Sequence, residues 1–97
     1  RNKIHATVIL LSDSEPETLA GAVVLIPQAD PGFDWLFGCN IGGLITQFGG
    51  ANSHMAIRAA ENDLPAAIGV GDKLYEQIAR MRKIELDCNN QIIREIK

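Results

Sequence analysis

Three observations predict an α/β fold in one compact domain. Short apolar runs at 4–11, 22–26, 42–46 and 66–70 have the length and composition of strands. Two stretches among them, about 53–62 and from Asp72 onward, place apolar residues at helical spacing. The chain is 97 residues long, which suits one layered domain with a modest core.

The run Ile4-His5-Ala6-Thr7-Val8-Ile9-Leu10-Leu11 is rich in β-branched and aliphatic side chains and predicts the first strand. Ser12 to Glu17 is polar and predicts a turn. Ala22 to Ile26 is continuously apolar and stops at Pro27, as a buried strand does. Asp30-Pro31-Gly32 signals a turn. Phe33, Trp35 and Phe37 are expected to pack as core around a short helical turn, the other reading being a ligand platform. Gly42 to Thr46 predicts a strand that leads through Gln47-Phe48 to the pair Gly49-Gly50.

A helix follows from about Ser53 to Asn62, and Asp63-Leu64-Pro65 ends it because the residue before proline avoids helical geometry. Ala66 to Val70 predicts another strand. Asp72 is the expected N-cap of a second helix, with Leu74, Ile78 and Met81 as one apolar stripe. Ile84 to Cys88 and Gln91 to Ile96 predict a terminal hairpin about Asn89-Asn90, since asparagine tolerates a left-handed turn.

The bulk numbers exclude several classes. The formal charge is −3, so the chain carries no electrostatic footprint for nucleic acid. Arg80-Met81-Arg82-Lys83 is diluted by Glu76, Glu85 and Asp87 and reads as a solvated helix end. The apolar runs are too short to span a bilayer, and there is no signal peptide pattern. Cys39 and Cys88 lack metal-site spacing and fit a reducing cytoplasm as small buried hydrophobes. No metal site is expected in this chain. It begins with Arg1 rather than Met, which fits an excised piece of a longer protein, processing being the other reading.

The chemistry-bearing segment is Gly49-Gly50-Ala51-Asn52-Ser53-His54-Met55-Ala56-Ile57. It sets a histidine at a predicted helix start, where free backbone N–H groups and the positive end of the helix dipole suit an anion. At about 100° per residue, His54, Arg58 and Glu61 fall within roughly 60° of one another. Met55, Ala56, Ala59 and Ala60 fall opposite, so His54 belongs to the polar face. A neutral imidazole is a nucleophile near neutral pH. Gly49 and Gly50 permit close backbone approach, and Asn52 or Ser53 can cap the helix or donate to an anion. Arg58, one turn beyond His54, can reach a phosphate there, with Glu61 orienting it. Read without function, the same residues are a turn and an exposed ion pair.

The run Ile45-Thr46-Gln47-Phe48-Gly49-Gly50-Ala51-Asn52-Ser53-His54-Met55-Ala56-Ile57, then Glu61 and Leu64-Pro65-Ala66-Ala67-Ile68-Gly69, resembles the mobile phosphohistidine domain of phosphoenolpyruvate-utilising enzymes. Phosphoenolpyruvate synthase, pyruvate phosphate dikinase, the first enzyme of the sugar phosphotransferase system and rifampicin phosphotransferase are of that kind. Asp30 to Phe37 is also similar to the family segment ahead of the histidine, so the likeness covers about residues 20–97.

The resemblance implies a swivelling β/β/α domain, with His54 as the phosphorylated histidine and Thr46 and Glu61 as supporting residues. It implies a shuttle between an ATP-grasp domain and an acceptor domain for pyruvate, phosphoenolpyruvate or another substrate. ATP and Mg²⁺ are then expected in those partner domains and no cofactor in this one. Two departures stand out. Asn52 occupies a common threonine position, and the family arginine aligns with Ala60 while Arg58 lies two residues earlier. The alternative function is a swivelling or interaction module that has lost phosphorylation.

Overall fold

The computed structural model describes residues 3–10, 19–28, 31–50, 54–87 and 92–96, without the side chains of Lys3, Pro31 and His54. Strands β1 (Lys3–Leu10), β2 (Val23–Gln28), β3 (Gly43–Phe48), β4 (Ala66–Ala67), β5 (Lys83–Asp87) and β6 (Ile92–Glu95) form one sheet, in the order β4-β3-β2-β1-β5-β6. Strands β1 to β4 pair in parallel, while β5 runs antiparallel to both β1 and β6. Between β2 and β3 lies a 3₁₀ segment, Pro31–Gly38. Helices α1 (His54–Glu61) and α2 (Asp72–Ala79) follow β3 and β4. The expected α/β class is the observed one.

Residues 23–26 of β2 and 43–45 of β3 are apolar and buried because both faces of the sheet are covered there. Val24, Ile26 and Leu44 pack with Leu19, Leu36, Ile41 and Met55 on the face that carries the 3₁₀ segment and α1. Val23, Leu25 and Ile45 pack with Tyr75, Ile78, Ile84 and Leu86 on the other face, beneath α2 and the β5–β6 pair. Strands β2 and β3 alternate between the two clusters, as the two-residue period of a strand requires.

Some expectations are corrected. Leu36 is the fully buried residue of the 3₁₀ segment, flanked by half-buried Phe33 and Phe37, whereas Trp35 is 46% exposed. A 3₁₀ turn of three residues cannot bring positions 33, 35 and 37 to one side together. In α1, Met55 and Ala59 are buried, but Ala60 is exposed. In α2 the buried pair is Tyr75 and Ile78; Leu74 is exposed and Met81 lies beyond the helix. Gly71 holds the N-cap position of α2, and Asp72 is its first residue, with Oδ1 accepting a hydrogen bond from Gln47 Nε2 at 2.6 Å.

Helix α1 ends on backbone chemistry as well as on Pro65. Leu64 N–H donates to Ala59 O at 2.9 Å, Asp63 N–H donates to Ala60 O at 3.2 Å, and Asp63 is left-handed at φ 53°. This is the paired closing turn that satisfies the last carbonyls of a helix. Cys39 is half-buried against the first core cluster. The turn at 12–17, Asp30, Cys88 and the Asn89-Asn90 turn lie outside the described residues.

Candidate functional site

Of the predicted site residues, Thr46, Gly49 and Gly50 lie at the carboxyl end of parallel strand β3, a region where open parallel sheets commonly hold ligands, and His54, Arg58 and Glu61 belong to α1, which follows it. Thr46, near the end of β3, is fully buried. Its Oγ1 donates to Phe48 O at 3.0 Å and accepts from Gly69 N–H at 2.9 Å. The Thr46 carbonyl accepts from Gly69 N–H at 3.1 Å and from Val70 N–H at 3.0 Å, and Gln47 O accepts from Gly71 N–H at 2.9 Å. These bonds tie the loop after β4 to the strand end that leads into Gly49-Gly50. A hydroxyl fits because it donates and accepts at once.

Gly69 is what lets the two segments touch. A Cβ there would collide with the Gly49 carbonyl oxygen, and its φ of 73° favours glycine regardless of space. Gly49 itself has φ 133°. Gly50 is exposed, and a Cβ on it would meet open space. Ala51, Asn52 and Ser53 lie outside the described residues, so their expected capping and anion-binding roles are not placed by the structure. His54 is the first residue of α1, four positions after Gly50.

Arg58 is half-buried and engaged elsewhere than the sequence suggests. Its Nε donates to Asp34 Oδ1 at 3.0 Å, across to the 3₁₀ segment, and its guanidinium carbon lies 5.3 Å from the centre of the Phe37 ring. Glu61, the expected orienting partner, is 3.9 Å from Nη1 and well exposed. Asp34 and Phe37 therefore set the arginine, with Glu61 at the margin. Neither has a sequence signal of its own, because the contact joins residues 24 apart. Gly69 stands within the motif but has no recognisable role until its approach to Gly49 is seen.

Among the described residues, no three His, Cys, Asp or Glu side chains gather to hold a metal ion. No described helix is long and apolar enough to cross a membrane.

The match that decides the family spans residues 18–91 and is to the PEP-utilising enzyme, mobile domain. The chain belongs to this family. The mobile domain is also similar to a rifampicin phosphotransferase of Streptomyces sviceus, with 36% identity over 62 residues. That stretch is 64% of this chain and 7% of the relative's length. A UPF0107 protein solved by solution NMR superposes with a TM-score of 0.66 at 12% identity, covering 100% of this mobile domain and 93% of that chain. At that identity the likeness shows a shared fold alone.

Proposed function

We propose that this mobile domain is a phosphocarrier in which His54 is transiently phosphorylated. The observation that carries the reading is the position of His54 as the first residue of α1, four positions after Gly50, with the strand end that leads to the glycine pair braced by Thr46 and Gly69. The first N–H groups of a helix have no partner within it and favour a negative group nearby. An imidazole nitrogen attacks phosphorus, forming an N–P bond. The bond from phosphorus to the donor's bridging oxygen breaks, its electron pair leaves with that oxygen, and the ring's other nitrogen releases its proton. The same steps in reverse order pass the group to an acceptor. Such transfer depends on placement and charge neutralisation more than on further covalent chemistry.

On this reading the donor and acceptor sites belong to other domains of the same protein. An ATP-grasp domain supplies the phosphoryl group with ATP and Mg²⁺, and the acceptor is pyruvate or another hydroxyl or enol compound. Mobile domains of this family normally sit with other domains in the same protein, and a rigid swing between domains is an ordinary mode of coupling. On this reading the process is cytoplasmic. Gly49, Gly50, Asn52, Ser53 and Arg58 are the proposed phosphate-binding groups.

The test incubates the whole parent protein with ATP labelled at the β or γ phosphate, and separately with labelled phosphoenolpyruvate. Acid-labile, alkali-stable label on the wild type and none on His54→Ala is the expected result. A folded protein that takes no label from either donor overturns the reading. That outcome favours a module without phosphorylation, which the engagement of Arg58 by Asp34 already suits.

A further inference from the structure

Arg58 stands between two acidic claims. Position 58 is one helical turn after position 54 on α1, a spacing at which helix residues are neighbours on one face. Its guanidinium rests on the half-buried Phe37 ring and touches Asp34 through Nε alone, at 3.0 Å. The Arg58–Asp34 pair is 38% and 42% exposed, so solvent screens it and the attachment is weak. A phosphoryl group brings about two negative charges and three acceptor oxygens, a better match to the guanidinium fork than one carboxylate oxygen.

We propose that Arg58 is shared between Asp34 and a phosphoryl group on His54, so that phosphorylation draws Arg58 from Asp34 and loosens the 3₁₀ segment from α1. This rests on the reading of His54 as the phosphorylated residue. Arg58 is then a positioning residue that reports the state of the carrier to a second surface. That surface includes Trp35, which adjoins Asp34, is 46% exposed and is the one tryptophan of the chain. Phosphorylated and bare carriers thus present different faces to a partner, although the sheet beneath is the same.

The test uses the chain itself and phosphoramidate as donor. The ring nitrogen forms its bond to phosphorus, the P–N bond of phosphoramidate breaks, and ammonia leaves with that electron pair and a proton. A His5→Gln background leaves His54 as the remaining histidine. The readouts are the Arg58 Nε–H resonance, the amide resonances of Gly32 to Gly38, and Trp35 fluorescence. Phosphorylation is expected to shift all three, and Arg58→Ala to abolish the shift at 32–38 while His54 still takes label. Asp34→Asn, which frees the guanidinium, should raise the labelling rate about two- to fivefold, and Asp34→Glu should return it to the wild-type value. Label on His54 with an unmoved Arg58 Nε–H and unmoved amides overturns the exchange and leaves the carrier role intact. A folded chain that takes no label at His54 overturns both.

Discussion

Helix α2 buries Tyr75 and Ile78 against one face of the sheet, whereas α1 buries Met55 and Ala59 against the other. Both helices have eight residues. The difference lies in what crosses to the neighbouring element. Two large side chains seat α2, and its polar link is the exposed Gln47–Asp72 bond. One large and one small side chain seat α1, whose lateral link is a half-exposed ion pair resting on Phe37. Helix α2 is therefore a cover for the core. Helix α1 is seated more lightly, and its polar face is left for chemistry. The proposed carrier role would call for that combination: a firmly seated base, and a helix start whose surroundings can answer to charge.

The comparison is tested most strongly at Ile78. It is fully buried among Val23, Leu25, Ile45 and Ile84. Ile78→Ala should cost about 3–4 kcal/mol, from lost burial together with the cavity left behind. Chemical denaturation should show that loss, while the molecules that remain folded take label at His54 at the wild-type rate. If the folded fraction also lost labelling, the two faces would be coupled and the division of labour between α1 and α2 would fail.

A smaller but more telling effect is expected at Gly69. Its Cβ would collide with the Gly49 carbonyl, and its φ of 73° disfavours any side chain. Gly69→Ala should cost roughly 2–3 kcal/mol of strain. Unlike Ile78→Ala, it should also slow labelling of His54 within the folded fraction, because the strand end before α1 must shift. An unchanged labelling rate would show that the brace through Thr46 stabilises the fold without positioning the histidine.

These two sites differ in how far the sequence exposes them. Ile78 is legible because burial has a period, and the continuous runs at 22–26 and 43–46 are legible because both sheet faces are covered. The glycine pair and His54 are legible because a helix start has a composition. The Arg58–Asp34 pair is not, since helical projection compares residues on one element and offers Glu61, on the same helix, whereas Asp34 is 24 residues away on the 3₁₀ segment. Trp35 fails for a related reason. Aromatic content predicts burial on average, but the 3₁₀ winding decides which ring turns inward, and it chose Leu36 for the core. Asp72 was a sound N-cap by residue type, yet Gly71 holds that position and leaves the carboxylate to accept from Gln47.

The smallest effect concerns the dryness of the α2 face. Burial of Tyr75 raises its phenol above the ordinary value of about 10, because the ionised form is desolvated. In the unfolded chain the phenol ionises near its ordinary value, while in the fold it keeps its proton to higher pH. Between those two values the unfolded state binds fewer protons, so stability falls as pH rises. The contribution is fully present below the unfolded value and is lost as pH climbs through the folded one. Tyr75 is the one tyrosine of the chain, so Tyr75→Phe removes this slope cleanly. Lysines also titrate in that range, but they do so equally in both proteins. Urea midpoints measured at about pH 8 and about pH 11 should therefore fall further for the wild type than for Tyr75→Phe. Parallel falls would mean that the phenol stays in water, and that α2 sits on the sheet no more tightly than α1 does.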